Sequence, residues 1–314
     1  MKIILLTLSP EASFLERFYL WFRKYIKNLL FYYGGPEAVL ESLIRGFDKL
    51  KIDYQLNPKA SEIRDNSTVS VLSDVKTLRW AIAAKKEGKV KKIIAGPTIA
   101  MPLDANRIIF DNTIDIFIVP SSWVKEFCDF FCPGFRKKIR VWAAGVENPQ
   151  NFQEKPRKGC LVYKKNVDKE LFDFIIWYLK SNNIDYKLIK WGRYKKENYF
   201  EILNKVKFMI YLSESESQGL ALHEAWMHNV PTLVWNGGHL KTKVYEWTGS
   251  TPAPYLTEQC GMFFKNEKDF SNKLSIFLAN LNNFCPRDYS LKNFTNEICV
   301  SKYLNIIKET EELS

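Results

Sequence analysis

The chain has 314 residues, 46% hydrophobic and 26% charged, which is enough apolar material for two packed domains and excludes a disordered polymer. Its net charge of +11 suits phosphate-bearing partners, although a lysine-rich solvated surface would give the same figure. Six scattered cysteines without a CxxC pair, and three histidines, argue against a zinc framework and for buried thiols in a reducing compartment; no run approaches the ~18 apolar residues of a membrane span.

In chain order, residues 2–8 read as a short buried parallel strand. Residues 14–33 follow with helical spacing: Leu15, Phe18, Phe22, Ile26, Leu29 and Tyr33 share one side, and Arg17, Lys24, Lys27 and Asn28 the other. This aromatic, basic helix fits packing on the first domain, lying at a membrane interface, or meeting a polymer acceptor. Gly34-Gly35-Pro36 opens a second helical pattern running to Leu50, and residues 54–56 fit a strand. Strands are expected at 92–95 and 115–119, the latter ending at Pro120-Ser121-Ser122, where a serine can cap a helix over 123–131. A strand at 139–142 closes the first half.

Polar, proline-bearing residues 145–156 read as the hinge, so a domain boundary is placed between residues 147 and 148. Strand–helix alternation then resumes, with strands at 160–163, 186–190, 208–212, 232–235 and 261–264 and helices at 169–179, 197–205, 220–228 and 269–281. Two such series predict an α/β protein of two Rossmann-like domains, each a parallel sheet with helices on both faces and ligand sites at the carboxyl ends of its strands. A cleft between the domains is expected.

The most specific segment is Tyr211-Leu212-Ser213-Glu214-Ser215-Glu216-Ser217-Gln218-Gly219-Leu220-Ala221-Leu222-His223-Glu224-Ala225, where a strand end becomes a loop and then a helix. The glycine lets backbone approach a ligand, and the amides of Gly219, Leu220 and Ala221 can face an anion. Glu224, a turn into the helix, can receive hydroxyls. This block resembles the Glu-x7-Glu signature of retaining glycosyltransferases of the GT-B fold, most like glycosyltransferase family 4. Gly34-Gly35-Pro36, Val119-Pro120-Ser121-Ser122-Trp123, Gly145-Val146-Glu147 and Gly192 resemble further family features in the same order.

The resemblance implies a nucleotide-sugar donor held in the C-terminal domain, 148–314, and an acceptor on the N-terminal domain, 1–147. It implies that Glu216 meets the donor sugar and Glu224 the ribose. Gly219, Leu220 and Ser217 would line the sugar or phosphate, with Gly35 facing the same donor from the first domain. Lys164 and Lys165 are the candidates to clamp the diphosphate, and Arg193 to touch base or phosphate. Retention of anomeric configuration without a metal is expected, and no cofactor beyond the nucleotide sugar as co-substrate. The acceptor is a glycan, a lipid-linked sugar or a protein. The expected location is cytoplasmic, with peripheral contact to the inner face of a membrane through residues 14–33.

His223 and His228 read as a packed and a helix-terminal histidine rather than metal ligands. Two departures from the family stand out: the stretch between Lys164 and Glu216 is short, and the first domain has no histidine. The competing readings are an inactive GT-B binding or regulatory protein and a nucleic-acid-binding or DNA-modifying one. No nucleic-acid motif supports the latter.

Overall fold

The computed structural model describes residues 3–19, 22, 34–149, 152, 156–242 and 244–312. The chain divides into two compact units. One takes the described residues of Met1–Ile26, Gly35–Gly145 and Asn296–Ser314; the other takes Gly34 and the described residues of Val146–Thr295.

The first unit is a six-stranded parallel sheet. Its strands are β1 (Ile3–Leu6), β2 (Tyr54–Leu56), β3 (Ser67–Ser73), β4 (Val90–Thr98), β5 (Ile116–Val119) and β6 (Ile139–Val141), in the order β2-β1-β3-β4-β5-β6. β1 and β5 are buried along their whole length, as expected for strands covered on both faces. β1 is shorter than its apolar run because the amides of Thr7 and Leu8 turn away to the Asn57 side-chain oxygen, at 2.7 and 3.1 Å. Helices α1 (Gly35–Leu50), α2 (Val75–Lys86) and α3 (Ser122–Phe131) connect the strands. Ser121 does occupy the N-cap of α3, but its hydroxyl is buried and bonds to nothing among the described residues. The serine cap expected there is therefore a backbone position only.

The second unit is a five-stranded parallel sheet, β13-β10-β9-β7-β8. It is built from β7 (Cys160–Lys164), β8 (Tyr186–Lys190), β9 (Phe208–Leu212), β10 (Thr232–Trp235) and β13 (Gly261–Phe264). Helices α4 (Lys169–Ser181), α5 (Lys196–Leu203), α6 (Leu220–Met227), α7 (Glu267–Ala279) and α8 (Pro286–Asn293) surround it, and β11 (His239–Lys241) pairs antiparallel with β12 (Glu246–Thr248). The buried side chains form two clusters: Tyr163, Tyr199, Tyr211 and Trp226 belong to one, and Val162, Phe208, Phe264 and Phe270 to the other. Alternating strand residues feed them in turn.

The last helix, α9 (Asn296–Glu312), belongs with the first unit. It meets α1 at Gly46, where an added Cβ would lie 2.3 Å from a Val300 methyl and 2.7 Å from the Asn296 carbonyl. Trp142 donates to the Cys299 carbonyl at 2.8 Å, and Arg140 pairs with Glu309 at 2.7 Å. All six cysteines are free. Burial pushes the thiols of Cys128, Cys160, Cys260 and Cys299 up to about 12, so they stay protonated and inert.

Candidate active site

Strand order locates the site in the second unit. From β7 the chain moves to β8 on one side, then returns to β9 on the other, so the order reverses between β7 and β9. In parallel α/β sheets the crevice beyond the carboxyl ends of the strands at such a reversal receives the ligand. Lys165 follows β7 there, and its amide continues the ladder by donating to the Leu212 carbonyl at 2.8 Å. Glu216 lies in the loop after β9, tied by its amide to the Thr251 carbonyl at 3.1 Å.

The Lys165 ammonium donates to both oxygens of Glu216 at 2.8 Å. The same carboxylate accepts from the Tyr211 hydroxyl and the Ser213 hydroxyl, each at 2.9 Å on Oε1. The pair is largely withdrawn from solvent, with side-chain exposures of 20% and 13%. A carboxylate with this many donors is positionally locked. Tyr211 is completely enclosed, and burial first, then the Glu216 charge, raises its hydroxyl well above the ordinary tyrosine value. It therefore stays protonated and serves as a donor to Glu216. Sequence reasoning named Glu216 and Lys165, which the fold brings together; it did not single out Tyr211 and Ser213, which reach Glu216 only because the loop doubles back on β9.

The turn into α6 is made by Gly219, whose left-handed backbone (φ 83, ψ 51) forms the N-cap. A Cβ there would press on Leu222 at 3.2 Å and on the Pro252 carbonyl at 3.4 Å, so glycine is required for conformation and for space. Among the described residues the amides of Gly219, Leu220 and Ala221 reach no protein acceptor, leaving an open helix start of the kind that accepts anions. Ser217 is exposed at the head of this turn. Glu224, one turn in, pairs with Lys196 of α5 at 3.5 Å, with exposures of 11% and 22%. Lys196 escaped sequence reasoning because it lies far from Glu224 in the chain.

Beside the pair is a cleft of about 270 Å³ lined by Lys164, Lys165, Lys190, Trp191 and Arg193. Its lining therefore carries cations and no acid. Lys165 lies 5.0 Å from the centre of the Trp191 ring, and Lys164 lies 3.6 Å over the Phe172 ring of α4, a cation–π arrangement. Both lysines line the cleft, but only Lys165 bonds to Glu216. Lys190 and Trp191 are members that motif reading did not select. Gly35 begins α1 in the first unit, where an added Cβ would meet nothing within 4 Å.

The histidines are not part of this site. His223 is fully buried between Phe294, Trp226 and Tyr255, and burial lowers it to about 3. His228 caps the C-terminus of α6 and bonds Asn204 at 2.9 Å.

No protein-family model matches the chain, and no curated protein resembles it in sequence. Solved structures do share its fold. The lipopolysaccharide outer core galactosyltransferase WaaB, in its apo form, aligns over 98% of this chain and 99% of its own, with a TM-score of 0.63 and 15% identity. The catalytic domain of starch synthase IV from Arabidopsis thaliana, bound to ADP and acarbose, aligns over 88% and 78%, with a TM-score of 0.54 and 10% identity. The UDP-GlcNAc 2-epimerase of Methanocaldococcus jannaschii aligns over 98% and 100%, with a TM-score of 0.50 and 15% identity.

Proposed function

We propose that this chain, which has the GT-B fold, transfers a sugar from a nucleotide-sugar donor to an acceptor hydroxyl. The observation that carries the reading is the Lys165–Glu216 pair at the strand reversal, between the open start of α6 and a cationic cleft. A nucleotide sugar offers a neutral polyol, an anionic diphosphate and a ribose, and the site has one chemical match for each. Glu216 would accept hydroxyls of the sugar. The amides at 219–221, with Lys165 and Lys164, would take the diphosphate. Glu224 would take the ribose, and Arg193 would contact the base or a phosphate. The second unit is thus the donor side and the first the acceptor side.

When the bond from the anomeric carbon to the phosphate oxygen breaks, negative charge gathers on the diphosphate. Lys165 is a cation already fixed in place, and fixed charge is what lowers such a barrier. The departing phosphate would take the acceptor's proton on the same face, which retains the anomeric configuration and calls on no metal. The resemblance to family 4 supports this course. The acceptor class is open to a glycan, a lipid-linked sugar or a protein.

The test is a thermal-shift screen against nucleotides and nucleotide sugars, with Glu224→Ala in parallel. One nucleotide sugar should raise the transition of the wild type and leave that of the variant unmoved, since a ligand bound only to the native state stabilises it. A folded wild type that responds to none of them would remove the donor-site reading and favour a GT-B protein with another role.

A further inference from the structure

The segment after β1 breaks the usual rule for a helix on a globular body. Residues 14–19 are helical, and their start is set by a reciprocal cap. The Glu16 amide donates to the Ser13 hydroxyl at 3.2 Å, and the Ser13 amide to the Glu16 carboxylate at 2.9 Å, the geometry of a capping box. The polar side then turns toward the protein. Arg17 donates to the carbonyls of Pro10, Ala12 and Asn57 at 3.1, 3.2 and 3.1 Å, and Glu16 pairs with Lys76.

The apolar side faces outward. Phe14 is 80% exposed, Leu15 75%, Tyr19 62%, Phe18 51% and Phe22 46%. The rings of Phe14, Phe18 and Phe22 stack in a single row at 6.4 and 6.3 Å. Amphipathic helices ordinarily turn such a stripe to the core. Here turning it inward would break three arginine bonds and an ion pair, so the fold holds the ridge out rather than leaving it out.

We propose that this ridge seats the protein on the surface of an anionic lipid bilayer, with Phe14, Phe18 and Phe22 entering the boundary between headgroups and acyl chains. An interfacial helix sinks roughly 5–10 Å, a depth that takes in whole phenyl rings. Charge selects the lipid. Arg17 is taken up by protein carbonyls, but the sequence of 14–33 also holds Arg23, Lys24 and Lys27 against Glu16 alone, and Glu16 is covered by Lys76. Residues 23–33 lie outside the described residues and enter only through their charge. The same charge opposes a second copy as the occupant, because two chains of +11 would meet through their basic stretches. This inference is independent of sugar transfer.

Flotation of the full chain with vesicles decides it. The wild type should float with vesicles containing phosphatidylglycerol, less with phosphatidylcholine alone, and less again as salt is raised. The double variant Phe14→Ser/Phe18→Ser should lower the partition coefficient about tenfold or more, while its thermal transition and its response to nucleotide sugars stay at wild-type values. Wild-type protein that does not float would overturn the proposal, as would a variant that floats equally well. A concentration-dependent dimer abolished by the same substitutions, without vesicle binding, would assign the ridge to a second copy instead.

Discussion

The Lys165–Glu216 pair shows what a single contact can carry. Its partners lie just beyond the ends of adjacent strands and are largely withdrawn from water, with side-chain exposures of 20% and 13%. Deleting one leaves the other charge unpaired and largely withdrawn from water, which costs up to about 3 kcal/mol; Lys165→Ala or Glu216→Ala should each show such a loss in denaturant unfolding. The double variant should lose less than the sum of the two. His223 permits a sharper test. Its ring nitrogens reach no partner among the described residues, and burial holds the folded group at about 3 against an ordinary 6.5. The unfolded chain therefore binds a proton below pH 6.5 that the native chain refuses down to about pH 3. Stability from neutral His223 is complete above the unfolded value and drains as pH falls, by about 2 kcal/mol between pH 7 and pH 5. Wild-type unfolding midpoints should drop over that range, and His223→Leu should remove about half of the slope, because His228, lowered to about 4, contributes a similar share; an unchanged slope would remove His223 from the account. Motif reading picked out Glu216, Glu224 and Lys165 because their spacing along the chain is informative. It could not pick out Lys196 or Tyr211, whose contribution exists only once α5 and β9 are folded against them.

At the level of elements, the buried strands were the most legible. The predicted bounds 208–212, 232–235 and 261–264 match β9, β10 and β13, because short apolar runs ending in a turn leave little freedom; 186–190 matches β8 as well, an edge strand in which only Ile189 is buried. β3 escaped notice although it pairs with β1 and β4 in the middle of its sheet. Its three serines, Ser67, Ser70 and Ser73, make it read as loop, yet the interior stretch is buried. α2 followed it into obscurity, since Ala81 and Ala84 weaken its apolar stripe. Of the 14–33 helix, the described part is helical but presents its apolar side to solvent; periodicity gives a stripe without saying which way it faces. Two glycines test how tightly elements are positioned. Gly219→Ala forces a side chain into the left-handed region, costing about 1–2 kcal/mol, and should weaken nucleotide-sugar binding more than stability because the amides at 219–221 shift. Calorimetric titration beside a melting curve separates the two. Gly46→Ala meets Val300 and the Asn296 carbonyl below contact distance and should destabilise the first unit by about 1–3 kcal/mol. Adding Val300→Ala should recover only part of that, because the carbonyl remains.

For the molecule as a whole, fold and chemistry part company. The same architecture serves a galactosyltransferase and a UDP-GlcNAc 2-epimerase, so architecture cannot name the reaction. Both chemistries would begin with a nucleotide sugar held by its phosphates, and they differ in the fate of the nucleotide. A transferase releases nucleoside diphosphate in step with acceptor consumed, whereas an epimerase returns an isomeric nucleotide sugar and needs no acceptor. Incubating the wild type with the nucleotide sugar that stabilises it, with and without candidate acceptors, should give diphosphate release that the acceptor accelerates. The anomeric proton of the product should keep the donor's configuration by NMR. If Lys165 supplies the charge that meets the leaving group, Lys165→Ala should lower the turnover rate by about 10²–10³-fold, the scale of one preorganised electrostatic contact. Lys164→Ala should cost less, because its ammonium rests on Phe172 and must move to reach a phosphate. An isomerised donor without released diphosphate would retain the site and the fold while replacing the reaction.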